Sequence, residues 1–368
     1  MNTSYEARVQ RTVDAIAMRP VDKIPVSFNG PAYLAKQMGL TMAEAVSDFP
    51  KAIDAAVSYM KAHPGIDTMH TPIVSVYAQP TLWYSPVSIP GEQLDENALW
   101  QLEEQEIIRY EDYETILQEG FGPWSDRVMK ERLGDPFAKM LPYLQHSPIA
   151  NQRLKEEAGI LVVNGGLVGT PFENFCGGRT LMNFFVDLVE EPDLIKQVLD
   201  AAFEHTLASY MGMLSMKPFG TWVGGCRAAP ELLSHDTWME FVWPYLKKLV
   251  EVTVEAGVTP ILHFDSCWDK ELETLRELPA KKCLLMLDGT TDMRLAREVL
   301  DDRMCLMGDV PASLLAFGSA SEFYGYTHKL IDDVGSRTGL IVSSCCDTPL
   351  NAKAENVDAM VQAAWDYL

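Results

Sequence analysis

Three residue types that bind metal ions occur at every second position of the segment ILHFDSCW, residues 261–268. Side chains alternate between the two faces of a β-strand, so His263 and Asp265 share one face, and Cys267 joins them if the strand continues. Imidazole, carboxylate and thiolate groups are usual donors to zinc, and a catalytic zinc site has three protein ligands and one open position. From the spacing alone, both a zinc site and an ordinary strand end with a hydrogen-bonded histidine remain open.

A second set of candidate ligands lies near the C-terminus, in the segment GLIVSSCC, residues 339–346. Ser344 and Cys346 share one face of this predicted strand, and Cys345 lies on the other. If the ends of the two strands converge, Cys346 can reach the same ion as His263. The other cysteines are predicted to pack in the core as small apolar residues; they are Cys176, Cys226, Cys283 and Cys305.

The order of apolar runs predicts how these residues are positioned. Eight runs alternate with segments whose apolar residues recur every three or four positions, such as residues 194–216 and 237–256, which indicate amphipathic helices. The runs are KIPVSF, DTMHTPIVS, GILVVNGGLVG, GTWVGG, TPILHFDS, KCLLMLDG, MCLMGDV and GLIVSSCC. This alternation predicts an α/β fold, a (β/α)8 TIM barrel whose chemistry lies at the carboxyl ends of the strands. An open doubly wound sheet is the alternative, but no glycine-rich phosphate loop follows the first run.

The chain is predicted to form a single barrel domain over residues 1–368. Residues 79–155, after the second strand, are too many for one barrel unit. We expect this segment to be an insertion, first a hairpin and then helices, that covers the mouth of the barrel.

Composition restricts the partners of the protein. Its 368 residues are 47% hydrophobic and carry a net charge of −22, which disfavours nucleic acid and anionic membrane as partners. No run approaches eighteen apolar residues and the N-terminus is polar, so we expect a cytoplasmic protein. The seven cysteines are expected to be reduced. A homodimer is compatible with the sequence.

Other residues near the predicted strand ends are candidates for substrate binding. Trp222 could line a pocket for a ring, Arg227 could meet a substrate carboxylate, and Asp288 could act as a proton donor or orient the zinc histidine. Core packing, a salt bridge and a helix cap are the respective alternatives. Further aromatic candidates for the pocket are Tyr77, Trp83, Tyr84 and Trp100, and Asp309 shares the alternatives given for Asp288.

Three blocks of the sequence resemble the uroporphyrinogen decarboxylase superfamily. They are EARVQRTVDAIAMRPVDKIPV (residues 6–26), PELLSHDTWMEFVWPYLKKLVE (residues 230–251) and CCDTPLNAKAENVDAMVQAA (residues 345–364). The resemblance covers nearly the whole chain and implies a (β/α)8 barrel. Decarboxylases of this superfamily have an arginine-rich segment after the first strand, whereas this chain reads PVSFNGPAYLAKQMG, residues 25–39, with no arginine.

The resemblance is therefore to the cobalamin-dependent methyltransferases of the superfamily, which hold zinc with a His-x-Cys pair and a C-terminal cysteine. His263 and Cys346 match two of these ligands, and Asp265 stands where the second thiolate is found. Asp265 is the expected third ligand, with Cys267 as the alternative. A carboxylate in place of a thiolate gives a harder metal site, suited to polarising an oxygen.

These features are similar to those of O-demethylase-type methyltransferases I. The resemblance implies transfer of a methyl group from a methoxylated aromatic, or another small O-methyl donor, to the cob(I)alamin of a separate corrinoid protein. One alternative is a methyltransferase that uses methylcobalamin and a thiol such as coenzyme M. The others are a decarboxylase and a non-catalytic barrel that binds a corrinoid.

Overall fold

Parallel strands surround the centre of the protein in the computed structural model, which describes residues 4–335 and 338–367. The strands are β1 (Ser27–Phe28), β2 (Thr68–Met69), β3 (Val87–Ser88), β4 (Gln101–Leu102), β5 (Leu161–Val162), β6 (Asn164–Gly169), β7 (Gly220–Gly225), β8 (Thr259–Phe264), β9 (Leu284–Leu287), β10 (Cys305–Val310) and β11 (Leu340–Ser344). β3 and β4 form a separate antiparallel pair. Only Val163 separates β5 from β6, so these two segments act as one strand.

Hydrogen bonds join the parallel segments into one ring. β1, β2 and β5 are neighbours in one sheet, and β6 to β11 follow in order in the other. The backbone N–H of Val163 donates to the carbonyl of Met69 at 2.9 Å, which continues the pairing of β2 with the β5–β6 strand. On the other side, a parallel bridge joins Val26 to Val342. The predicted α/β fold with a (β/α)8 barrel is confirmed.

Helices follow the strands and cover the outside of the ring. They are α1 (Tyr5–Ile16), α2 (Pro31–Gln37), α3 (Met42–Ser47), α4 (Phe49–Ala62), α5 (Ala78–Trp83), α6 (Asp112–Glu119), α7 (Phe121–Leu133), α8 (Pro136–Arg153), α9 (Pro171–Gly178), α10 (Leu181–Glu190), α11 (Pro192–Leu214), α12 (His235–Phe241), α13 (Trp243–Glu255), α14 (Leu272–Leu275), α15 (Met293–Leu300), α16 (Ala312–Phe317), α17 (Ala320–Val334) and α18 (Ala354–Asp366). A π-helical turn, Leu154–Ala158, follows α8.

Prolines account for the main differences from the predicted elements. The helix predicted over residues 237–256 is broken into α12 and α13 at Val242, because Pro244 begins a new first turn. The first two strands are only two residues long, and Pro25 and Pro72, which cannot donate to a strand ladder, lie beside them. The helix predicted over residues 194–216 corresponds to α11.

Two apolar layers show which side chains point into the barrel. Ile261, Met286 and Ile341 belong to a cluster inside the ring, whereas their chain neighbours Leu262 and Leu285 belong to the larger cluster between strands and helices. Since side chains alternate along a strand, the residue two positions after Ile261 also points inward. The layers thus direct His263 toward the axis of the barrel, at the carboxyl end of β8.

The segment 79–155 contains most of α5, the β3–β4 hairpin and helices α6 to α8. Its predicted role as an insertion over the barrel mouth stays a prediction. The seven cysteines all lie in the described ranges and are all free thiols. Within residues 4–335 and 338–367, every helix is too short or too polar to cross a membrane.

A buried ion cluster at Asp67 holds α1 against the first two strands. One Asp67 oxygen lies 2.6 Å from Nη1 of Arg11, and the other lies 3.1 Å from Nζ of Lys23. The second oxygen also accepts the backbone N–H of Val26 at 3.0 Å. Burial lowers the pKa of the Lys23 ammonium to about 8, although Asp67 opposes this shift. Asp67 therefore compensates two buried cations at the edge where β1 begins.

We expect Asp67→Ala to lower the free energy of unfolding by about 3–5 kcal/mol, because it removes a partner from buried charges. Unfolding in urea measures the loss. Asp22→Ala is the matched control, since Asp22 also pairs with Arg11 but its side chain is 60% exposed, and it should cost less than about 1 kcal/mol. Equal losses for the two variants would contradict the role given to Asp67.

Candidate metal centre

Three donor atoms meet at the carboxyl end of the barrel. One ligand atom from each of His263, Asp265 and Cys346 lies within 4.8 Å of the other two. Nε2 of His263 is 3.5 Å from Sγ of Cys346 and 3.4 Å from Oδ1 of Asp265. The structure thus brings together the three residues expected as ligands, from two strands that are not neighbours in the ring.

The two strands deliver these donors in different ways. His263 lies on β8, and Asp265 follows the end of that strand with the same orientation. Cys346 lies two residues after β11, where the hydroxyl of Ser344 donates to its carbonyl at 2.7 Å. The next turn is held by Thr348, whose N–H and hydroxyl both donate to the carbonyl of Asn29 at 2.7 Å. Contacts with the loop after β1 therefore fix the position of Cys346.

The distances between the donors fit the edges of a tetrahedral metal site. Zinc binds nitrogen at about 2.0 Å and sulfur at about 2.3 Å, and tetrahedral angles then separate the two atoms by about 3.5 Å. The same construction with a carboxylate oxygen gives about 3.3 Å. The measured separations of 3.5 and 3.4 Å agree with these values. The residues present are therefore able to hold such an ion.

Hydrogen bonds within the donor set control the protonation of His263. Burial alone would lower the pKa of its imidazole, but the hydrogen bonds and negative charges of Asp265 and Cys346 raise it to about 10. Nδ1 of the ring is buried and has no hydrogen-bond partner among the described residues. Nε2 thus faces the other donors, and a metal ion would displace its proton on binding.

Cys267, the alternative ligand, is outside this group. The chain turns sharply at Ser266, whose φ of 68° ends the alternation of the strand. The N–H of Ser266 donates to Asp288 at 2.7 Å, and the N–H of Cys267 donates to Glu231 at 3.1 Å. Within the described residues, Cys267 belongs to no cluster that could hold a metal. The choice of Asp265 as ligand stays a prediction, and this geometry favours it over Cys267.

A cavity of about 340 Å³ lies beside the donor set, within the range of small-molecule sites. Its walls contain aromatic and aliphatic side chains together with a few polar groups. The aromatic residues are Trp83, Trp100, Tyr143 and Trp222, and the polar residues include Asn29, His70, Gln79, Asn164 and Asp347. The donors therefore face an enclosed, largely aromatic space.

Trp222 is the proposed substrate residue that lies nearest to the donors. The centroid of its ring is 5.8 Å from that of His263. A Cβ atom on Gly224 would lie 2.2 Å from the Trp222 ring, so the glycine leaves room for the indole. Of the other aromatic candidates, Tyr77 and Tyr84 line different cavities.

Arg227 and Asp288 do not line this cavity. Nη1 of Arg227 is 3.9 Å from Glu104, and the Asp288 carboxylate accepts N–H groups of Ser266 and Thr290. Asp309 accepts the hydroxyl of Tyr326. The direct contacts of these residues are with the protein itself, and a role of Arg227 or Asp288 in substrate binding stays a prediction.

Glu173 is a residue that the sequence gave no reason to select. Its side chain is fully buried and accepts the indole N–H of Trp83 at 2.9 Å and the N–H of Ala228 at 2.7 Å. It also accepts the N–H of Arg227 at 3.1 Å. Burial raises the pKa of this carboxyl, and the hydrogen bonds oppose the shift. Glu173 thus ties a tryptophan of the cavity wall to the loop after β7.

The fold and the donor set define a (β/α)8 barrel with a candidate metal centre at the carboxyl ends of its strands. Residues 125–367 match the model of the family described as uroporphyrinogen decarboxylase (URO-D), and the chain belongs to this family. The predicted superfamily is thereby confirmed, while the O-demethylase branch stays a prediction.

Among solved structures, the chain is similar to a methyltransferase from Methanosarcina mazei. The TM-score is 0.69 at 17% sequence identity, and the match covers 97% of this chain and 98% of that one. At this identity the likeness supports the fold alone. No curated protein sequence is significantly similar to the chain.

We expect Glu173→Gln to place an amide N–H₂ group against backbone N–H groups or against the indole of Trp83. At least one buried donor then loses its acceptor, which should lower the free energy of unfolding by about 1–3 kcal/mol. Denaturant unfolding followed by tryptophan fluorescence measures both the stability and the environment of Trp83. Glu190→Gln, on the exposed end of α10, is the control and should stay within about 0.5 kcal/mol. An unchanged Glu173→Gln variant would contradict the tethering role.

Proposed function

We propose that this protein is a zinc-dependent methyltransferase that moves a methyl group from a small O-methyl donor to the cob(I)alamin of a corrinoid protein. The observation that carries the proposal is the convergence of His263, Asp265 and Cys346 on one point beside an aromatic cavity. Membership of the URO-D family is consistent with it.

A zinc ion held by these three residues would supply a Lewis acid that makes the oxygen of a methyl ether a better leaving group. The chain itself contributes the binding and orientation of the donor. Trp83, Trp100 and Trp222 offer flat apolar surfaces against which a ring can pack, and such packing excludes water from the reacting bond. His263 and Asp265 hold the reacting end of the cavity.

The donor set favours an ether over a thiol as the reacting group. Thiolate ligands make a soft, electron-rich site suited to thiols, whereas a carboxylate makes a harder site suited to oxygen. Asp265 occupies the position of the second sulfur, and Cys267 is turned away from it. The thiol-methylating alternative would need that second sulfur close to the metal.

A porphyrinogen decarboxylase is the less favoured function for this cavity. Its substrate carries several carboxylates, each of which requires a cationic partner when it is buried. Within the described residues, the lining contains no lysine or arginine. A non-catalytic corrinoid-binding barrel would leave the three converging donors without a role.

The remaining parts of the proposal concern partners and surroundings. We propose that residues 79–155 cover the barrel mouth, since Gln79, Trp83, Trp100 and Tyr143 of this segment line the cavity. A separate corrinoid protein would present its cobalt to the donor there. Arg227 and Asp288 would then act through neighbouring residues, and the protein would work in the cytoplasm.

The purified protein should contain about one zinc ion per chain, which elemental analysis measures. Because each ligand contributes directly to the site, we expect Asp265→Ala and Cys346→Ser to lower zinc affinity by at least about 100-fold. Competition with a chelating dye gives the affinity. Cys267→Ser is the matched control for the loss of a nearby thiol and should bind zinc normally. Loss of zinc in that variant with retention in Asp265→Ala would show that the ligand is Cys267.

The zinc protein should convert cob(I)alamin to methylcob(III)alamin when a methoxylated phenol is added, and the absorbance of the corrinoid reports this directly. We expect His263→Ala to slow the reaction by at least about 100-fold, because it removes several kcal/mol of charge stabilisation. Cys267→Ser should retain the activity. Methyl transfer from methylcobalamin to a thiol, with no cleavage of any ether, would instead support the alternative function.

A further inference from the structure

The charged side chains that line the cavity are mainly acidic. Asp265 belongs to the donor set, and Asp347, immediately after Cys346, adds a second carboxylate to the wall. Of the described residues that line the cavity, only His70 and His263 are basic, and His263 is a donor. The nearby Arg227 lies outside the lining, and Nη1 of its guanidinium is 3.9 Å from Glu104.

His70 supplies no positive charge to this space. It lies at the carboxyl end of β2 and is only 4% exposed. Burial, with a smaller contribution from His263, lowers the pKa of the His70 imidazole to about 3. Its Nε2 atom is buried and has no hydrogen-bond partner in the described part of the chain. At neutral pH this wall of the cavity therefore offers an uncharged polar group.

A bound metal ion does not reverse this balance. A divalent cation with one carboxylate, one thiolate and a neutral imidazole has a net charge of zero. Asp347 then remains as a further acidic group in the wall. The loaded cavity is neutral or negative, and its aromatic walls cannot neutralise an anion.

We infer that the methyl donor is an uncharged aromatic ether and that the cavity discriminates against a carboxylate on the ring. This inference rests on the proposed function and specifies its substrate class. An unpaired carboxylate loses its hydration on entry and gains no cation in return. A ring hydroxyl, in contrast, can donate to Oε1 of Gln79, a buried acceptor in the wall that has no partner among the described residues.

Two rings that differ in charge but hardly in size test the inference. They are 4-hydroxy-3-methoxybenzamide and 4-hydroxy-3-methoxybenzoate. Calorimetric titration into the zinc-loaded protein at pH 7 should give a dissociation constant at least tenfold lower for the amide. Equal affinities, or tighter binding of the benzoate, would overturn the inference.

The same titration separates this inference from the proposed function. If both rings bind equally and both transfer their methyl group, the methyltransferase function stands and the charge preference is wrong. If neither ring binds and neither methylates cob(I)alamin, the donor class itself is wrong, and the charge preference is wrong with it.

A cation placed in the wall provides a second test. Gln79→Lys should raise the affinity for the benzoate at least fivefold relative to the amide, because the new ammonium pairs with the carboxylate. Gln197→Lys, on the exposed surface of α11, changes the net charge equally and should leave the ratio of affinities unchanged. An equal effect of both variants would place the discrimination in the overall charge of −22 and overturn the role of the cavity. The comparison of the two rings on the unaltered protein does not depend on either variant folding.

Discussion

Closure of the barrel is the constraint on which the candidate site depends. His263 lies on β8 and Cys346 follows β11, with β9 and β10 between them, so only a curved ring brings their ends together. The parallel bridge between Val26 and Val342 joins the last strand to the first. Thr348 then anchors the loop after β11 to the carbonyl of Asn29. Register and closure, rather than any local motif, therefore set the distance between imidazole and thiolate.

The regular parts of this arrangement could be predicted from the sequence because they follow from the two-residue period of a strand. Alternation placed His263 and Asp265 on one face and separated Cys346 from Cys345, and the distances between the donors agree with that grouping. The eight apolar runs predicted the barrel for the same reason. Cys267 shows where this reasoning ends. Its position depends on the turn at Ser266, which is stabilised by Asp288 from the next strand.

The parts of the site that were not predicted depend on contacts between residues far apart in the chain. Glu173 meets Trp83 across 90 residues and holds the loop after β7 through backbone groups, which have no signature in the sequence. Arg227 was a candidate because it follows a strand, but its guanidinium lies near Glu104 and its N–H binds Glu173. Its position relative to the strand end was visible in the sequence, whereas the direction of its side chain was decided by neighbours that the sequence does not order.

The hydrogen bonds among the donors have a consequence for metal binding. Nε2 of His263 already lies between the oxygen of Asp265 and the sulfur of Cys346, at separations that suit a tetrahedral ion. A metal ion would replace the proton there without a change of fold, so little binding energy would be spent on ordering the ligands. The same closeness means that no donor can be changed alone. Removal of the carboxylate or the thiolate also removes one of the two interactions that hold the imidazole in a protonated, oriented state.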